Sequence, residues 1–121
     1  MEEVREFMHA PVISVDPQAT AQEAATVMGE KGIGSVLIKK NDDYLGILTK
    51  TDLVKNVLAG GLDPHGTKVY SVMAKPIITL DHQAPKSEAI DLMVANKIKH
   101  LMVTKHGEIV GVLSTTDIIG K

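Results

Sequence analysis

The sequence predicts a mixed α/β fold of the α+β type, made from one strand–helix–strand–strand–helix unit used twice. Three observations predict it. The first is an ungapped internal repeat: Val4 to Asp16 returns as Val69 to Asp81, and the register holds to Asp52 and Asp117 at an offset of 65 residues (Met8 to Met73). Identical pairs include Met8/Met73, Pro11/Pro76, Asp16/Asp81, Met28/Met93, Gly46/Gly111, Leu48/Leu113 and Asp52/Asp117. The second is the hydrophobic period, which alternates between strand-like and helical within each copy. The third is composition: 121 residues with 44% hydrophobic and 23% charged side chains, ordinary for one compact module with a buried core. Units used twice normally bury a face against each other, so equivalent polar residues come in pairs.

In each copy the elements follow in order. Pro11 to Val15 reads as a short strand closed by the turn signal Asp16-Pro17. Thr20-Ala21-Gln22-Glu23 forms a capping box, and Ala24, Val27 and Met28 follow at helical spacing. Gly32 supplies the helix stop, because glycine tolerates the left-handed conformation. In the second copy Pro85 replaces Thr20, so the cap hydroxyl is lost, although proline is acceptable in a first turn. Ala89, Ile90, Met93 and Val94 keep the apolar face there.

Two strands come next, Val36 to Lys39 and Leu45 to Leu48, joined by the polar turn 40–43. Their counterparts are Leu101 to Thr104 and Ile109 to Leu113, joined by residues 105–108. A short helix ends each unit, Lys50 to Leu58 and Thr115 to Ile119, with Leu53, Val54, Val57 and Leu58 as the apolar face of the first. The boundaries are therefore 4–58 for the first domain, 59–68 for a Gly- and Pro-rich surface linker, and 69–120 for the second domain.

Composition narrows the function. Aromatic residues make up 2% of the chain, with no Trp, which removes the stacking platforms of single-strand nucleic-acid binders. A net charge of −2 and a pI near 6.2 supply no basic field for a phosphate backbone. Nucleic acid is thereby disfavoured as a partner. With no Cys there are no disulfides or thiolate metal sites, and His9, His65, His82 and His106 have no partners at metal-ligand spacing. No apolar stretch approaches the ~20 residues of a spanning helix, and the acidic start, Met1 to Glu6, has no signal-peptide character. A cytoplasmic location away from membranes is expected. The run Gly29 to Gly34 is a helix exit, not a dinucleotide loop, since it follows a helix and its glycines run in the wrong order.

The sharpest signal is the end of each unit, Gly46-Ile47-Leu48-Thr49-Lys50-Thr51-Asp52 and Gly111-Val112-Leu113-Ser114-Thr115-Thr116-Asp117. A strand enters a helix through a hydroxyl residue, with an acid three positions later. Two readings share these atoms. In the first, Thr49 and Ser114 are N-caps and the acids favour the positive end of the helix, stabilising each start by on the order of 1 kcal/mol. In the second, free amides bind phosphate, the hydroxyl adds a donor, and the carboxylate accepts from ribose hydroxyls. Spacing alone leaves both open.

The whole chain, residues 4–120, resembles a tandem pair of cystathionine β-synthase (CBS) domains, a Bateman module. The resemblance rests on Val-x-x-x-Met-x-x-Pro-(Ile/Val)-Ile at each start, Gly-x-Leu-(Thr/Ser)-x-x-Asp at each end, and Ile98-Lys99-His100-Leu101-Met102-Val103. It implies β-α-β-β-α units packed sheet to sheet with pseudo-two-fold symmetry, two inter-repeat clefts for adenosine-type ligands, and a homodimer of the four-unit disc type. By position, Asp52 and Asp117 would hold ribose hydroxyls, and Thr49 and Ser114 ribose or phosphate. Ser14 and Thr79, with Ile13 and Ile78, would lie along the adenine. Lys99 and His100 fall where the family often has basic residues facing phosphates, while Lys50, and Thr115 opposite it in the repeat, stand at the helix starts. The first copy has uncharged Gly34 and Ser35 in place of Lys99 and His100, so the clefts are expected to bind unequally.

The resulting expectation is a non-enzymatic regulatory module sensing AMP, ADP, ATP or a related adenosyl compound. It requires no cofactor, and its output passes to a separate effector protein. The alternative is a dimerisation or interaction scaffold with vestigial clefts. An enzyme is the weakest reading, since no nucleophile–base pair is legible.

Overall fold

The computed structural model describes residues 2–119; Gly120, assigned to the second domain, lies outside them. The fold is mixed α/β with two three-stranded sheets, ordered β1-β2-β3 and β4-β5-β6. Elements follow in chain order: β1 (Ser14–Val15), α1 (Ala21–Lys31), β2 (Ser35–Lys40), β3 (Asp43–Thr49), α2 (Lys50–Asp52), α3 (Val69–Val72), β4 (Thr79–Asp81), α4 (Lys86–Asn96), β5 (His100–Lys105), β6 (Glu108–Ser114) and α5 (Thr115–Ile119). A 3-10 turn at Val4–Glu6 precedes them, and α2 continues as π-helix over Leu53–Leu58.

The chain divides into two compact units, and each takes its opening arm from the other repeat. The first-repeat unit spans Ile13–Ile77, and the second-repeat unit joins the residues up to Val12 to those from Ile78 onward. In the first-repeat unit, β1 pairs parallel with β2, and β2 antiparallel with β3. Ala24, Met28, Val36, Ile38, Leu48, Val57 and Val69 form its core. The second-repeat unit repeats this topology with β4, β5 and β6 around Val4, Ala89, Met93, Leu101, Val103, Leu113 and Ile118. Val69 and Val4 are equivalent in the repeat, yet each is buried in the core of the other copy. Alternation along the strands explains the choice of core residues: Val36 and Ile38 share one face, as do Leu101 and Val103.

The exchanged arms complete the helix starts. Thr20 accepts from the Glu23 amide and Glu23 returns the bond, the expected capping box. The Ala21 and Gln22 amides donate to the carbonyls of Thr67 and Pro64, so the 59–68 segment docks on α1 as well as connecting. Pro85 stands at the N-cap of α4, one residue before the first turn, with no side-chain cap. The Lys86 amide donates to the Glu2 carbonyl, as its equivalent Ala21 does to Thr67, while its ammonium pairs with Glu2 at 3.3 Å and lies 4.9 Å from the Phe7 ring. The acceptor lost with the hydroxyl is supplied by the backbone: the Glu88 amide, equivalent to that of Glu23, donates to the Pro85 carbonyl at 3.0 Å.

Several boundaries differ from those expected. Only Ser14–Val15 of the Pro11–Val15 segment is strand: Ile13 still accepts from the Leu37 amide, Pro11 has no amide to donate, and two residues earlier His9 exchanges both backbone bonds with Val112. Each hairpin closes further out, with Lys40 opposite Asp43 and Lys105 opposite Glu108. Backbone pairing does not need apolar side chains at a solvated hairpin end. Of the apolar face expected after Lys50, Val57 is buried and Leu53 packs on the core, while Val54 and Leu58 are exposed. In α4, likewise, Ala89 and Met93 are buried and Ile90 and Val94 exposed. No helix among the described residues is long and apolar enough to cross a membrane.

Candidate functional site

The expected site residues separate cleanly by unit. Ile13, Ser14, Thr49, Lys50 and Asp52 lie in the first-repeat unit, and Ile78, Thr79, Lys99, His100, Ser114, Thr115 and Asp117 in the second. In the first, the Leu37 amide donates to the Ile13 carbonyl at 2.9 Å, and Ser14 stands opposite Leu37. Two residues back along β2, Ser35 pairs with Thr49 at the end of β3. The exposed Ser14 and the β3–α2 junction are therefore at one end of the sheet. The second unit reproduces this, with Ile78 accepting from Met102 at 3.0 Å and His100 opposite Ser114.

Each junction is built by the hydroxyl and the acid together. Asp52 Oδ2 accepts from the Thr49 amide at 2.9 Å and from Thr49 Oγ1 at 3.0 Å, and the Asp52 amide donates back to Oγ1 at 3.2 Å. Asp117 and Ser114 make the same three bonds at 2.8, 3.0 and 3.3 Å. The capping reading is thus realised in both copies, and it uses one carboxylate oxygen of each acid.

The first amide of each helix is also engaged. Lys50 N–H donates to the Gly34 carbonyl at 3.1 Å, and Thr115 N–H to the Lys99 carbonyl at 3.0 Å. With the third amide held by the hydroxyl, two of the three first-turn donors are already satisfied. These helix starts therefore offer a ligand chiefly an anchored carboxylate rather than a cradle of amides. The Lys50 and Lys99 side chains are exposed, and His100 is half-buried at the start of β5.

Sequence spacing gives His9 no partner, and the fold supplies one of a different kind. Its Nε2 lies 2.5 Å from Asp117 Oδ1, across 108 residues of sequence. The equivalent of His9 in the other copy is Ala74, so Asp52 receives no such contact. Asp52 Oδ1 has no protein partner among the described residues. No local spacing could have revealed the His9 contact, since it depends on the exchanged arm.

With this geometry in place, ancestry can be assigned. The CBS domain model matches residues 4–59 and again 69–121. The chain belongs to the CBS-domain family. Among its relatives, an uncharacterised protein of Methanopyrus kandleri is 36% identical over 118 residues, covering 96% of this chain. The chain spans 60% of that relative's length. Hypoxic response protein 1 of Mycobacterium tuberculosis is 32% identical, with 98% of this chain and 83% of that protein covered. A hexameric CBS-CP12 protein from bloom-forming cyanobacteria superposes with a TM-score of 0.91 at 29% identity, covering 100% of this chain and 71% of that one. The tandem CBS organisation and the mixed α/β fold expected from the sequence are both borne out.

Proposed function

We propose that this protein is a regulatory module that binds an adenosine-containing ligand, AMP, ADP, ATP or a related compound, with one candidate site at the hydroxyl–x–x–Asp junction of each CBS unit. The observation that carries the reading is the Asp52 carboxylate. Its Oδ2 is locked by Thr49, which orients Oδ1 without consuming it. A carboxylate oxygen has two lone pairs, so Oδ1 can accept from both hydroxyls of a ribose. Because the capping bonds already hold the group, little side-chain ordering is required on binding. CBS membership supports the adenosine assignment, and Ile13, Ser14, Ile78 and Thr79 are the candidate adenine contacts.

The reading is non-catalytic. Ser114, His9 and Asp117 are close together, but the hydroxyl donates to the carboxylate. A hydrolytic triad instead needs the imidazole between the hydroxyl and the acid. Binding would act as a signal only if the ligand prefers one arrangement of the chain over another, with the response passed to an effector protein in the cytoplasm.

A second reading, an interaction scaffold, has its own support. Val54, Leu58 and Leu62 in the first-repeat unit, and Ile90, Val94 and Ile119 in the second, are exposed apolar side chains, of the kind that marks association surfaces. The solved CBS-CP12 relative is hexameric. We take these residues as contributing, from each unit separately, to the self-association of a homodimer that also binds ligand.

Titration with AMP, ADP, ATP, S-adenosylmethionine and NAD tests the choice. Saturable binding tighter than ~1 mM, about −4 kcal/mol, is expected for at least one of them. It should disappear in the Asp52→Ala/Asp117→Ala double variant with the circular dichroism unchanged. No binding by any of the five, with a persistent dimer, would leave the scaffold reading alone.

A further inference from the structure

We infer that His9 is a built-in competitor for the Asp117 carboxylate, so that a vicinal diol enters the Asp52 site directly but must displace the imidazole to enter the Asp117 site. The inference rests on the proposed ribose-binding role of the two acids and adds an order of filling to it.

The lone pairs make the difference. In both copies Oδ2 takes two donors from the capping hydroxyl residue. At Asp52 both lone pairs of Oδ1 remain, matching the two hydroxyls of a diol. At Asp117 one of them is engaged by His9 Nε2 at 2.5 Å. The Asp117 side chain is 12% exposed, whereas His9 is 72% exposed. The carboxylate is therefore largely covered, and the imidazole against its Oδ1 is itself mostly in solvent.

His9 can leave without disturbing the fold. Its backbone is fixed by two bonds with Val112, at 2.8 and 2.9 Å, so displacement needs only rotation of an exposed side chain. Ala74 is held in the same way on Ile47, at 2.8 and 2.9 Å. The two sites thus share one backbone arrangement and differ by one side chain at this point, which makes the device transferable.

The test is calorimetric titration with AMP. The Asp52→Ala background isolates the Asp117 site, and Asp117→Ala isolates the Asp52 site. Adding His9→Ala to the first background should tighten AMP binding about two- to fivefold, the range expected for releasing one side-chain contact with a solvent-exposed partner. Adding Ala74→His to the second should weaken binding by a similar factor. If both additions leave affinity unchanged while each single acid substitution still removes one site, the His9 inference is overturned and the ribose reading stands. Should AMP bind equally well to the Asp52→Ala/Asp117→Ala double variant, or bind no variant and not the parent, the ribose reading fails and the inference with it.

Discussion

The Met73 side chain packs directly on Gly46: its sulfur lies 2.7 Å from where a Gly46 Cβ would stand, and the Ala74 carbonyl oxygen 2.8 Å. Met8 occupies the same place over Gly111. Two identical pairs of the repeat, Met8/Met73 and Gly46/Gly111, are therefore contact partners as well as equivalents. Each arm crosses its strand at the only residue type that leaves room for it.

Substituting either glycine should consequently loosen an arm. Gly46→Ala is expected to destabilise the protein by about 1–3 kcal/mol, because the neighbouring Ala74 backbone cannot yield as a flexible side chain could. Urea unfolding of Gly46→Ala and Gly111→Ala measures this. Unchanged midpoints for both would show that the arms are not held by this contact.

Capping and binding can be separated by comparing Thr20 with Thr49. Both hydroxyls accept from the amide three residues on, Thr20 from Glu23 and Thr49 from Asp52. Thr20→Ala and Thr49→Ala should each lower stability by about 1 kcal/mol. Only Thr49→Ala should also weaken AMP binding, since it frees the Asp52 carboxylate from its fixed orientation. Paired denaturation and calorimetry distinguish the two effects.

The helix exits predict a stabilising change. Gly32 ends α1 at φ 64°, and Lys97 ends α4 at φ 55° in the same left-handed conformation. A side chain there is strained, and glycine is not. Lys97→Gly should raise stability by about 0.5–1 kcal/mol after allowance for the extra freedom of the unfolded chain, read as a higher thermal midpoint.

Self-association is expected to depend on the outward apolar residues. Leu58 is 64% exposed, Val94 73% and Ile119 76%. Val94→Lys and Leu58→Lys, tested singly, should move the sedimentation coefficient from dimer toward monomer with an unchanged melting curve. If neither moves it, these residues do not form the dimer surface.

Much of the fold is legible in the chain. Thr20-x-x-Glu23, Gly32 and the Thr49-x-x-Asp52 and Ser114-x-x-Asp117 starts behave as their local chemistry dictates, because caps and turns are satisfied by residues within four positions. Strand limits are less legible, since backbone pairing at Lys40/Asp43 and Lys105/Glu108 extends into polar residues. Val54 and Leu58 share the helical period of the core-facing Leu53 and Val57, yet they point outward. A helical period shows which residues share a face but not how wide a stripe the neighbours cover.

Residue order alone determines the two-copy architecture, the capped helix starts and the equivalence of Asp52 and Asp117. Period, turn chemistry and capping are short-range, and the offset of 65 residues between Met8 and Met73 carries them from one copy to the other. The exchange of arms, Val4 and Val69 in opposite cores, and the reach of His9 to Asp117 are decided only by the tertiary structure. Contacts between residues as far apart as 108 positions depend on where the whole chain is laid down, and they leave no mark in local spacing.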